Sequence, residues 1–331
     1  MRKKKILVTG AAGFIGSHLV NALVASGEEV RCLVRKSDNL EFLPKDRIEI
    51  IFGDITDKKT LEPAVRGAQI IYHLAAKTDF EGKTWEEYFR PNVLGTQNLI
   101  DLATAEKVKR FVFFSTIRVV GLKDSKTPIN ESTPYHPLNF YDRSKTEAEK
   151  RLLSAYKEEK LPIVIIRPTS VYGPRDKGTY YSFFKAIAQG KFFLIGKGEN
   201  LVSFVYVKNV VDAAILAGEE EKAIGKIYFV NDEHPYTMEQ LASTVASTFD
   251  KKIPSLTLPT PLGYLAGYVF LSASKIFGIK PTLTPERVKN LTINYVFDIS
   301  KAKKELGYKP AVTLSEGVKQ TANWYKEHGW L

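Results

Sequence analysis

The stretch Lys5-Ile6-Leu7-Val8-Thr9-Gly10-Ala11-Ala12-Gly13-Phe14-Ile15-Gly16-Ser17 decides how this chain folds. Lys5 to Thr9 is a short apolar run, long enough for one buried strand. Gly10, Gly13 and Gly16 follow at every third position. Ile15, Leu19, Leu23 and Val24 then recur on one helical face, with Gly27 as the stop. Strand, glycine turn and helix in that order are the context a dinucleotide-binding turn requires. In such a turn Gly10 permits the tight bend, Gly13 brings the backbone close to a pyrophosphate, and Gly16 lets the helix press onto the strand. The helix N-terminus offers N–H groups and a positive dipole end to the phosphates. The spacing is G-x-x-G-x-x-G, not G-x-G-x-x-G, and taken alone it also fits a glycine turn that only packs.

Outward from this turn, composition bounds the answer. A length of 331 residues fits two domains, or one domain with a large insertion. Hydrophobic residues make up 44% and charged residues 26%, as in an ordinary globular protein. The net charge of +11 favours anionic partners, but no nucleic-acid motif accompanies it, so no nucleic-acid partner is expected. The single cysteine, Cys32, sits in the apolar run Val30 to Val34 and reads as a buried strand residue. One cysteine forms no disulfide within the chain, which suits a reducing, cytoplasmic setting. The apolar start is used up by the first strand, so it does not read as a signal peptide.

Further apolar runs at Glu29–Val34, Arg47–Phe52, Ala68–Leu74, Arg110–Ser115 and Ile163–Arg167 alternate with helical patterns at Thr56–Val65, Asn92–Ala105 and Leu138–Glu159. That alternation predicts an α/β fold: a doubly wound parallel sheet with helices on both faces and right-handed crossovers. Residues 1–175 read as a cofactor domain. Residues 176–331 read as a smaller substrate lobe, partly interleaved with it, with about 200–230 returning to the sheet. Helices are expected near Tyr181–Gln189, Asn209–Glu219, Thr237–Phe249 and Ser315–Glu327, and an apolar helix over 261–280.

Two more features carry chemistry. In Tyr141-Asp142-Arg143-Ser144-Lys145 the tyrosine and lysine are four apart, on one helical face. An ammonium beside a phenol makes the phenol usable as an acid or base near neutral pH; the pair also fits an ordinary surface contact. Phe111 to Phe114 is an apolar strand that ends in Ser115 and Thr116, where a doubly wound sheet places its ligands. No His/Cys cluster offers a metal site, and His73 reads as a packed strand-end residue.

With these features the chain resembles the extended branch of the short-chain dehydrogenase/reductase superfamily, the NAD-dependent epimerase/dehydratase family. The matches run nearly end to end: Thr9 to Gly16, Gly53-Asp54-Ile55, His73-Leu74-Ala75-Ala76, Asn92 to Thr96, Ser115-Thr116, Tyr141 with Lys145, Arg167-Pro168 to Pro174, Phe204 to Val210, and Lys304 to Tyr308. The resemblance implies a Rossmann fold and an enzyme in which hydride moves between nicotinamide C4 and a carbonyl carbon. It makes Tyr141 the general acid/base. Lys145 would lower the phenol's pKa and hold the nicotinamide ribose, and Thr116 would orient the reacting oxygen. It implies cofactor contacts at Gly10, Gly13, Phe14, Ile15, Gly16, Asp54, Ile55, Leu74, Ala75, Ala76 and Pro168. Asn92 is either a helix cap or a further contact.

One departure bears on the cofactor. The acidic residue that takes the ribose 2′-hydroxyl of NAD is replaced by Arg35-Lys36. A guanidinium suits a 2′-phosphate, so Arg35 points to NADP(H), with NAD(H) left open; the alternative is a solvated strand-end charge. A second departure bears on the substrate. Nucleotide-sugar members usually place a diphosphate-gripping arginine where this chain has Val202. Together with the apolar Leu262–Ile279 segment, this looks closest to the 3β-hydroxysteroid dehydrogenase and dihydroflavonol-4-reductase-like group. The expected function is an oxidoreductase that interconverts a secondary alcohol and a ketone on an apolar small molecule. The alternatives are a nucleotide-sugar epimerase, dehydratase or reductase, and, of another class, a cofactor-sensing binding protein without catalysis. The apolar segment reads as a helix packed in the substrate lobe, ahead of a lipophilic pocket wall or a membrane-surface contact. A homodimer through the long helices is the assembly left open.

Overall fold

The computed structural model describes residues 4–79, 82–277 and 283–331. In chain order its strands are β1 (Lys5–Thr9), β2 (Glu29–Val34), β3 (Glu49–Phe52), β4 (Ile70–His73), β5 (Arg110–Phe114), β6 (Ser125–Ile129), β7 (Ile163–Pro168), β8 (Ser170–Tyr172), β9 (Leu201–Val202), β10 (Phe204–Tyr206), β11 (Lys226–Val230), β12 (Tyr236–Thr237) and β13 (Tyr295–Phe297). The helices are α1 (Phe14–Ala25), α2 (Lys58–Val65), α3 (Glu86–Tyr88), α4 (Gly95–Ala105), α5 (Phe140–Glu159), α6 (Thr179–Ala188), α7 (Val207–Glu219), α8 (Met238–Ser247), α9 (Thr260–Phe277), α10 (Pro285–Thr292), α11 (Ser300–Leu306) and α12 (Leu314–Glu327).

Seven strands form one sheet in the order β11-β7-β5-β4-β1-β2-β3, and every pairing in it is parallel. The order reverses between β1 and β4, the switch point where doubly wound sheets hold ligands. Alternate residues of each strand face opposite sides. Ile6, Val8, Cys32, Val112 and Ile166 enter one core with α1 and α7. Leu7, Leu33, Ile71, Phe111 and Ile165 enter the other with α2, α4 and α5. A sheet buried on both faces needs unbroken apolar strands, and this is why these runs were readable. Cys32 is buried as expected, and burial pushes its thiol up to about 12.

The remaining strands form a four-stranded sheet, β12-β9-β13-β6, and the pair β10-β8. Only β11, within residues 200–230, joins the large sheet, beside β7.

Several boundaries differ from the sequence pattern for local reasons. Lys45–Arg47 is a 3-10 turn, so β3 starts at Glu49. The helical pattern at Asn92 begins as a π-turn over Phe89–Leu94, and α4 starts only at Gly95. Pro91 within that turn has no N–H to give a regular ladder. Thr237 and Gln240 close a capping box at the start of α8, as Thr313 and Glu316 do for α12. The apolar helix is described as far as Phe277; the rest of that stretch lies outside the described residues. Among the described residues no helix is long and apolar enough to cross a membrane.

Candidate active site

A cavity of about 960 Å³ opens over the C-terminal ends of the strands. Its floor is the glycine turn. Gly10 has φ +69°, and a Cβ there would lie 2.7 Å from Ala75 N. A Cβ on Gly16 would lie 2.1 Å from the Gly10 carbonyl. Neither position admits a side chain without backbone movement. Gly13 is the N-cap of α1, and no side chain caps that helix. Its first turn is therefore left for an external acceptor. Gly10, Gly13, Phe14, Ile15, Gly16, Arg35, Asp54, Ile55, Leu74, Ala75, Ala76, Thr116, Tyr141, Lys145 and Pro168 all border this one space.

Thr116, Tyr141 and Lys145 stand at the other end. Asn139 caps α5 by accepting from Asp142 N at 2.8 Å, and this fixes where the helix starts and where Tyr141 points. Thr116, just past β5, hydrogen-bonds the Tyr141 phenol. Burial pushes that phenol up to about 12; Asp142 adds to the rise, and Arg118 and Thr116 oppose it. At neutral pH Tyr141 is thus a proton donor. Lys145 is almost fully buried. Its Nζ donates to the Phe114 carbonyl at 2.6 Å and lies 3.9 Å from the Phe113 ring centre. Burial lowers it to about 7, and the Glu149 charge holds it from falling further. Ser115 borders the cavity with its Oγ buried and without a protein partner.

Arg118 ties this corner together. It donates to Asp142 on α5 at 2.7 Å and to Glu286 on α10 at 3.2 Å. Helix α5 is thereby tied to α10.

Two expected contacts look different in detail. Arg35 reaches the cavity, but its Nε and Nη2 donate to Asp38 Oδ1 at 3.0 and 2.8 Å. Asp38 itself borders the cavity. The strand-end acid missing from position 35 therefore stands three residues later, already paired with the guanidinium. Asn92 is buried beneath the cavity, within the π-turn and not at a helix cap. Its side chain accepts from Lys77 N at 2.7 Å and donates to Lys77 O at 3.0 Å and Ser144 Oγ at 2.8 Å. Pro91 borders the space in its place.

Sequence reasoning also passed over Asp38, Lys77, Thr78 and Asp79, which border the cavity. The available signal was position: Lys77, Thr78 and Asp79 lie just past β4, at the switch point, and Asp38 lies in the turn past β2. His73 bridges Thr9 Oγ1 at 2.7 Å and Thr96 Oγ1 at 2.9 Å. Burial, and secondarily Lys145, lowers it to about 3, so it is neutral and structural. Among the described residues no group of His, Cys, Asp and Glu is arranged to hold a metal. Val202 is fully buried, paired with Tyr236 and Tyr295, and does not border this cavity. Its meaning is the absence of a guanidinium there, not an apolar wall.

A seven-stranded parallel sheet with a glycine turn and a Thr-Tyr-Lys trio at its strand ends defines an extended short-chain dehydrogenase/reductase. The chain belongs to the 3-beta hydroxysteroid dehydrogenase/isomerase family, whose model matches residues 7–260. It is 33% identical to the N-acetyl-alpha-D-glucosaminyl-diphospho-ditrans,octacis-undecaprenol 4-epimerase of Escherichia coli O157:H7, covering 98% of this chain and 96% of that protein. It is 31% identical to the 3-beta-hydroxysteroid dehydrogenase of Mycolicibacterium neoaurum, over 98% and 92%. A solved mutant of the UDP-glucuronic acid 4-epimerase from Bacillus cereus, in complex with NAD and a fluorinated UDP-glucuronic acid, superposes with a TM-score of 0.79. That pair is 26% identical and covers 98% of this chain and 99% of the other. The chain is thus an enzyme of a family that contains both sterol dehydrogenases and sugar epimerases.

Proposed function

We infer that this enzyme interconverts a secondary alcohol and a ketone on an apolar, lipid-like molecule, with a nicotinamide dinucleotide as its partner in the reaction. The observation that carries the chemistry is the Thr116–Tyr141 hydrogen bond with Lys145 one turn along α5. The residues fit the dinucleotide: the uncapped start of α1 and the glycine cradle suit a pyrophosphate. The bound dinucleotide supplies or accepts the hydride. Thr116 holds the substrate oxygen, and Tyr141 gives it a proton in the reducing direction or takes one in the oxidising direction. Lys145, held at the edge of deprotonation, stabilises the tyrosinate and reaches toward the ribose.

For the cofactor, Arg35 supports NADP(H) and its pairing with Asp38 supports NAD(H). A 2′-phosphate must share the guanidinium with a carboxylate, so we propose NADP(H) with a modest margin. For the substrate, the absent guanidinium at Val202 supports an apolar molecule, because a buried diphosphate needs a cationic partner. The second reading, a sugar 4-epimerase, is favoured by the likeness to the Escherichia coli enzyme; it uses the same alcohol–ketone step.

The test is thermal stabilisation and turnover with dinucleotide present. Hydroxysteroid-like alcohols or hydrophobic ketones should raise the melting temperature or change the nicotinamide absorbance. UDP- and dTDP-sugars at about millimolar concentration, enough to saturate weak sites, should do neither. Saturable stabilisation by a UDP-sugar would replace the first reading with the second.

A further inference from the structure

The outer face of α9 is built the wrong way round for a helix in water. Thr260 to Ser274 contains no charged residue. Gly263 and Gly267, four apart, form the inner stripe. A Cβ on Gly263 would meet Ile195 at 2.8 Å, and one on Gly267 would meet the Thr284–Pro285 backbone at 3.0 Å. Small residues face inward, so the large ones are left outside. Leu262, Leu265, Tyr268 and Val269 lie on one arc of the helix, each half or more exposed, with Leu265 at 60%. Packed-helix and pocket-wall readings of this segment account for the glycines and not for that arc.

The patch continues past the helix. Ile195 pairs with Leu258 just before α9 and brings together the segments that carry the exposed Phe193 and Leu256. Exposed cations flank these two: Lys191 before Phe193, and Lys251 and Lys252 before Leu256. An apolar strip with a tyrosine and a lysine fringe, on a chain of net charge +11, is complementary to one surface in particular. Acyl chains take the leucines and the tyrosine sits at headgroup depth, while the lysines meet anionic headgroups. A second copy of this chain would bring the same cations against these.

We propose that the α9 face, with Phe193 and Leu256, docks on an anionic lipid bilayer surface. The docked face belongs to the α9–α10 pair, and α10 is tied through Glu286 and Arg118 to the catalytic helix. The docked face is therefore connected, through α10 and Arg118, to the helix that carries Tyr141 and Lys145. This goes beyond the proposed reaction and does not depend on which alcohol is oxidised.

The test is flotation of the full chain with vesicles of phosphatidylcholine alone or mixed with phosphatidylglycerol. The wild type should float with the mixed vesicles, more weakly with phosphatidylcholine, and be partly released by salt. The exposed double variant Leu265→Glu/Val269→Glu should lose at least about tenfold of that binding. Its melting temperature and dinucleotide titration should match the wild type, showing that the fold and site are intact. Wild type that floats with neither vesicle, or a double variant that floats equally well, overturns the proposal. So does a wild-type dimer that the double variant splits without any vesicle binding, which would assign the face to self-association.

Discussion

Replacing Lys145 by Met should stabilise the protein at low pH while disabling it. Burial holds this lysine near 7, against 10.5 for a free one. Each tenfold change in a protonation equilibrium is worth about 1.4 kcal/mol, so the folded state resists the ammonium by about 5 kcal/mol. The sign follows from linkage. Between 7 and 10.5 the unfolded chain binds the proton more than the folded one does, so stability rises with pH across that window. Below 7 both states are protonated and the whole penalty stands. Lys145→Met removes it, at the loss of the Phe114 carbonyl bond, worth about 1–2 kcal/mol. The net gain near pH 6 is about 3–4 kcal/mol, or a melting temperature higher by about 5 °C. Near pH 9.5 the gap should close or reverse. Thermal denaturation without cofactor at both pH values measures this, and turnover of the variant should fall at least about a hundredfold. A variant less stable than wild type by the same amount at both pH values would refute the buried-ammonium argument.

Three other outcomes are expected. Tyr141→Phe removes only the hydroxyl, so turnover should drop about a hundredfold or more while dinucleotide affinity, read by fluorescence titration, stays within about twofold. Asp38→Asn frees the Arg35 guanidinium and should raise the NADPH-over-NADH preference about tenfold, roughly 1.4 kcal/mol; Arg35→Ala should lower it, and a ratio unmoved by either shows that the pair does not meet the ribose. Gly16→Ala puts a methyl against the Gly10 carbonyl; a loss of about 1–3 kcal/mol in urea denaturation, together with lost dinucleotide binding, is expected.

The large sheet was legible because its strands answer to one rule. A strand buried on both faces, such as Phe111 to Phe114, must be apolar throughout. The strands that sequence reading passed over obey no such rule. Ser125–Ile129 contains Pro128 and pairs only at the edge, with a register shift against β13. Tyr295–Phe297 and Ser170–Tyr172 are three residues each, and pairing with distant segments defines them, not their own pattern. The site divides the same way. Glycines that exclude a Cβ and a Tyr–Lys pair on one helical face leave periodic marks in sequence. Asp38 left none, because its role comes from a turn that folds it back onto Arg35. The outward arc of α9 was visible as hydrophobicity, but which side it faced depended on where the glycines found a partner.

The amide of Asn92 carries a consequence for how this molecule opens. One buried side chain clamps the backbone N–H and carbonyl of Lys77 and also reaches Ser144 on α5. The loop after β4 and the first turns of α5 therefore share a fastener. Neither can come loose alone without leaving a buried amide unpaired. These two segments should behave as a single cooperative unit in native-state hydrogen exchange, although Lys77 and Ser144 stand far apart in the chain. On the roles proposed for Tyr141 and Lys145, the loop and α5 would then admit and release ligands in step.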